Sequence, residues 1–79
     1  MATGGIVEID LHGKNSYQAK VAIDAALRRA RGGTYRLRIV HGYHGGTALL
    51  DLVRQEYAGQ VLRVIPLDQG RTDLVLREF

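Results

Sequence analysis

Seventy-nine residues with 46% hydrophobic content allow one small domain and exclude a multidomain enzyme. There is no cysteine, so disulfides and cysteine-held zinc are excluded, and a chain this short must hold itself together by packing. The net charge of +3 is mildly basic: it suits an anionic partner but falls short of a protein that coats nucleic acid by charge alone.

Residues 1–4 are expected to be a flexible tail ahead of one domain over 5–79. Met1 to Gly5 has neither a basic n-region nor an apolar h-region, so no signal peptide is expected. No apolar run approaches the roughly 18 residues of a membrane span. A cytoplasmic location without membrane or disulfide partners is the expectation. Ile6 to Leu11 reads as a β-branched strand, broken by His12-Gly13-Lys14-Asn15. Asn15 with Gln18 three residues on forms a capping box for a helix from Ser16 to Arg31. Its apolar face is Ala19, Ala22, Ile23, Ala26, Leu27 and Ala30, and Asp24 with Arg28 is expected as an exposed pair. Gly32-Gly33 supplies a left-handed stop.

Tyr35 to Val40 is the second strand, with Tyr35, Leu37 and Ile39 facing one way and Arg36 and Arg38 the other. His41-Gly42-Tyr43-His44-Gly45-Gly46 breaks it, and Thr47 caps a helix from Ala48 to Ala58. The buried stripe of that helix is Leu49, Leu52, Val53 and Tyr57. Val61 to Ile65 is a third strand stopped by Pro66. Asp68 to Arg71 is turn chemistry, and Asp73 to Arg77 is a fourth strand. The β-α-β-α-β-β order predicts an α/β (α+β) two-layer sandwich: a mixed four-stranded sheet with both helices on one face and the last two strands antiparallel.

Two places look alike. One strand runs into His12-Gly13 and the next into His41-Gly42, each ahead of a helix. If these strands are parallel, both pairs lie at the carboxyl edge, where open α/β sheets bind ligands. Helix N-termini and glycine backbone there favour an anion, and Lys14 adds positive charge. Asp10 is either a catalytic or metal-holding carboxylate or an acid that orders the loop by bonding backbone N–H groups near Gly13. His12 and His41 are candidate general acid and base, His12 alternatively a ring that only hydrogen-bonds its loop. Tyr43 is either a base-stacking ring or a cover for the core edge. Arg36 and Arg38 belong to a basic stretch that either tracks phosphates or is simply solvated. His41-x-x-His44 with His12 and Asp10 contains metal-binding residue types. The spacing is loose and set in a glycine loop, so no metal ligand is assigned.

Ile9-Asp10-Leu11-His12-Gly13 resembles the LDLHG signature of the Smr (small MutS-related) domain, and His41-Gly42 with its glycines and Ala48-Leu49 resembles the second signature, HGxGxG before a helix. The likeness covers about residues 6–79. It implies a fold like the C-terminal domain of translation initiation factor three, and nucleic-acid binding; several family members nick DNA or cleave RNA. Asp10 and His12 match the acid and histidine of the first motif, the usual catalytic candidates. His41, Gly42, Gly45 and Gly46 match the second. Here the alanine-leucine comes one residue later than in the family pattern, and Tyr43 replaces a frequently basic position. Gly13, Lys14, Gly42 to Thr47, Arg36 and Arg38 are the expected nucleic-acid or phosphate contacts.

Two nuclease mechanisms stay open. One is metal-free, with His12 and His41 acting on an RNA 2′-hydroxyl. The other has Asp10 hold a Mg²⁺ that activates water. A binding module without catalysis is the alternative. A third class, a small-anion binder or interaction domain, lacks any P-loop or Rossmann fingerprint.

Overall fold

The computed structural model describes residues 2–3, 5–30, 32–42 and 48–78. Its elements are β1 (Ala2–Thr3), β2 (Ile6–Asp10), α1 (Ser16–Arg29), β3 (Arg36–Val40), α2 (Ala48–Tyr57), β4 (Arg63–Pro66) and β5 (Arg71–Val75). The expected mixed sheet of four strands with two helices is present. The tail residues Ala2 and Thr3 add a short strand, pairing antiparallel with Val7 and Ile6. The reversal between them needs Gly5, at φ +92°. A Cβ there would sit 2.5 Å from Gly33 O and 2.7 Å from the Tyr35 ring.

The strand order is β1-β2-β3-β5-β4. β2 and β3 are parallel, while β5 lies antiparallel between β3 and β4. β4 is an edge, which is where Pro66 costs no ladder bond. Asp68 tightens the β4–β5 turn by accepting from Gly70 N–H and from Arg71. β5 therefore starts at Arg71, two residues earlier than expected.

One face of the sheet and both helices enclose a single core of Leu11, Ala19, Ile23, Leu37, Ile39, Val53, Tyr57 and Leu74. Each large aliphatic side chain buried there contributes about 1.5–3 kcal/mol. The Asn15 capping box forms as expected, with bonds of 2.8 and 3.0 Å to and from Gln18. The C-terminus of α1 differs. Ala30 is already extended (φ −61°, ψ 129°) and its N–H closes a tight last turn on Leu27 O, so the helix ends before the glycines. Neither Gly32 nor Gly33 takes a left-handed conformation.

Asp24 also differs from expectation. It pairs with Lys20 at 3.5 Å rather than with Arg28, and it accepts the hydroxyl of the fully buried Tyr57 at 2.7 Å. Burial pushes the Tyr57 phenol above its ordinary value, with the Asp24 bond adding to it. This bond ties α2 to α1.

Candidate functional site

The parallel register sets Asp10 beside Val40, so β2 and β3 end together. Leu11 pins the junction: its N–H donates to Val40 O at 2.7 Å and its side chain is fully buried. Asp10 and His12, two residues apart, emerge on the other side. Asp10 Oδ1 accepts the His12 backbone N–H at 3.0 Å and His12 Nδ1 at 2.7 Å. The acceptor is a carboxylate, so the ring proton sits on Nδ1. In the neutral ring this leaves the Nε2 lone pair unengaged. The side chains of His12 and Asp10 are 77% and 56% exposed. The side-chain bond from His12, then its backbone N–H, holds the Asp10 carboxyl below its ordinary value, and Lys14 adds a small push the same way.

The second histidine faces the opposite way. His41 is 5% exposed. Its Nδ1 donates to Gly42 O at 2.8 Å, so its Nε2 accepts the Thr72 hydroxyl at 2.9 Å. The backbone N–H groups of His41 and Gly42 both donate to Gly70 O, at 2.9 and 3.0 Å. The β4–β5 turn thereby fixes the start of the second loop. Gly13 and Gly42 both take positive φ, +79° and +72°. A Cβ on Gly42 would lie 3.8 Å from the His12 Cβ, so the two His-Gly pairs adjoin as their parallel strands require.

Tyr43, His44, Gly45, Gly46 and Thr47 lie outside the described residues. Arg36 and Arg38 are not at this edge. They lie on the open face of the sheet, Arg36 about 13 Å down β3 from Val40 at the usual strand rise. Both are tied to Asp73: Arg38 by two bonds of 2.9 and 3.0 Å, Arg36 by one of 2.9 Å. Burial pushes the Asp73 carboxyl up, but the bonds from Arg38 and Arg36 outweigh it and hold it below its ordinary value. Asp73, Thr72 and Gly70 were not anticipated as partners of these groups. Their signal was a polar pair, Thr72-Asp73, running directly into the apolar Leu74-Val75-Leu76. Among the described residues no three His, Asp or Glu side chains converge to hold a metal ion.

The family model for the Smr domain matches residues 9–70. Among solved structures, the Smr domain of MutS2 from Thermus thermophilus is similar. Its TM-score is 0.79 at 30% identity, covering 91% of this chain and 99% of that one. No curated protein matches the chain. No helix among the described residues is long and apolar enough to cross a membrane.

Proposed function

This chain belongs to the Smr domain family, and from that premise we propose that it binds nucleic acid at the edge where β2 and β3 end and cleaves a phosphodiester there. The observation that carries the proposal is the Asp10–His12 pair: an exposed imidazole held in one tautomer by a carboxylate, its Nε2 turned outward. A general base needs that arrangement. Asp10 orients the ring and stabilises the imidazolium that forms when Nε2 takes a proton from the attacking hydroxyl. The hydroxyl oxygen then bonds to phosphorus as the bond to the leaving oxygen breaks, and the departing oxygen takes a proton from solvent. Lys14 and the backbone around Gly13 and around Gly42, which opens the second loop, supply the phosphate contacts. His41, both ring nitrogens engaged, serves the site by fixing that loop. Asp10 Oδ1 already takes both bonds from His12, and among the described residues no three His, Asp or Glu side chains converge to hold a metal ion.

The burial of His41 also favours a second reading, a binding module without cleavage, because it removes one of two proton-transfer groups from reach of a substrate. One experiment separates the two. Labelled single- and double-stranded RNA and DNA are incubated with wild type, Asp10→Asn and His12→Ala, with Mg²⁺ and with chelator. Retention of every substrate class tested for binding, with cleavage lost in His12→Ala, is the expected result. Retardation without cleavage in any lane leaves the binding module. Neither retardation nor cleavage by wild type would overturn the proposal.

A further inference from the structure

The sheet face left open by the helices carries five arginines. By register, Arg36 and Arg38 of β3, Arg63 of β4 and Arg71 of β5 share it with Asp73 and Val75, and with Glu8 and Asp10 of β2 in the rows of Arg38 and Arg71. Arg77, two residues past Val75, joins Arg36 and Arg63 around a concavity whose floor includes Ile65 and Val75. Four of the five have an acid partner: Arg36 and Arg38 share Asp73, Arg63 meets Glu78 at 3.0 Å, and Arg71 meets Asp68 at 2.7 Å. Arg77 has none among the described residues, and its Nε is buried without a hydrogen-bond partner.

A buried N–H with no acceptor is disfavoured, and a guanidinium in that state is complementary to an anion. The concavity sets three guanidinium groups against one carboxylate, Glu78. That carboxylate is half-exposed, and its bond to the exposed Arg63 is of a kind water and salt readily displace. Asp73 lies beneath, fully buried, and holds Arg36 in place.

We propose that this concavity is a second contact for nucleic acid, seating a backbone phosphate between Arg63 and Arg77, with Ile65 and Val75 beneath the sugar. The inference rests on the nucleic-acid reading above and extends it to the far end of the sheet. The occupant is a polymer rather than a lone phosphate because arginines line the way from the concavity to the edge, with Glu8 beside Arg38 and Asp73 between the rows. Arg71 stands in the same lateral row as Val40 and Asp10 at the edge, and Arg38 and Arg36 bridge from there to the concavity. From Arg71 to Arg77 is about 20 Å at the rise of extended chain. That is about six nucleotides at the axial spacing of a stacked strand.

The test is binding of 15-nucleotide single-stranded RNA and DNA by fluorescence anisotropy across a salt series. Wild type is compared with Arg63→Gln, Arg77→Gln and the double variant. Arg54→Gln, on the exposed helical side, controls for charge alone. A phosphate contact on a single strand lowers the slope of log K against log salt by about 0.7, which at 0.1 M salt is about a fivefold loss of affinity. Each site variant is expected to show that loss in slope and affinity, and Arg54→Gln neither. Arg63 is 60% exposed, so Arg63→Gln reports on the site even if Arg77→Gln folds poorly. Site variants that bind like Arg54→Gln, with wild type binding well, would overturn this inference and spare the function. Wild type that binds neither polymer would overturn both.

Discussion

Replacing Asp73 by Asn changes one charge and almost no volume. It acts on the one carboxylate among the described residues that is fully buried. Three charge-assisted bonds of 2.9–3.0 Å reach it from Arg36 and Arg38. An amide offers one acceptor oxygen and turns an NH₂ toward a guanidinium, so at least one bond becomes a donor facing a donor. Breaking a buried ion pair by removing one partner costs about 3–5 kcal/mol. The arginines retain 30% and 27% exposure, so water recovers part of that and the expected loss is about 2–3 kcal/mol. A domain of this size has roughly 4–12 kcal/mol in all, and each kcal/mol moves its Tm by about 4–8 °C. Urea unfolding followed by far-ultraviolet circular dichroism should show the midpoint fall with the m-value unchanged. A companion variant, Asp73→Leu with Arg36→Met and Arg38→Met, should return near to wild type, because a well-packed apolar triad replaces the buried ions. An Asp73→Asn midpoint within about 0.5 kcal/mol of wild type would refute the account, since that is the scale of an inconsequential surface change.

The same carboxylate contributes to the acid limb, alongside Asp24 and Asp68, whose carboxyls are also held low. Its folded value lies below the ordinary 3.8, so its contribution is fully present above 3.8 and is lost as pH falls through the lower folded value. Urea midpoints should be flat from about pH 5 upward and fall below about pH 4, with a shallower fall in Asp73→Asn; equal acid slopes in the two proteins would contradict this. The histidines should separate in the same assay. His41→Ala removes a buried ring and strands the Thr72 hydroxyl, costing about 2–4 kcal/mol. His12→Ala, at an exposed position, should stay within about 0.5 kcal/mol. Comparable losses in both would mean that the two rings are not placed as described.

Local chemistry made much of the fold readable. The Asn15–Gln18 capping box is four residues of sequence and forms as written. The period-2 pattern of Leu37 and Ile39 against Arg36 and Arg38 places the core face of β3 without further information. The adjacency of the two His-Gly pairs follows from one assumption, parallel pairing, which the β-α-β order supplies. Non-local facts were not readable. Nothing within Arg71–Val75 says that it slots between β3 and β4, and only that insertion turns Asp73 into the partner of both arginines. Arg36 and Arg38 looked like a solvated or phosphate-tracking pair because their acid lies thirty-five and more residues away.

The difference between the two histidines was in the sequence all along, carried by phase rather than by composition. In β2 the core-facing positions are Val7 and Ile9 and, continuing the alternation, Leu11. His12 is therefore out of phase with the core, and so is Asp10, two residues before it. Equal parity puts both on the same side, which is why they can bond. In β3 the core-facing positions are Leu37 and Ile39, and the next in step is His41 itself. One strand reaches its His-Gly on an outward beat and the other on an inward one, though their glycines take nearly the same φ. Ile39 is paired with Thr72, so an inward His41 meets the one hydroxyl on that side of β5 that can satisfy its Nε2. Opposite Asp10, β3 presents only Val40. The two motifs thus supply one exposed Asp–His pair and one buried brace rather than two equivalent histidines. A single-residue insertion in β3 before His41 would reverse its phase and, by this logic, free the ring at the cost of the loop it holds.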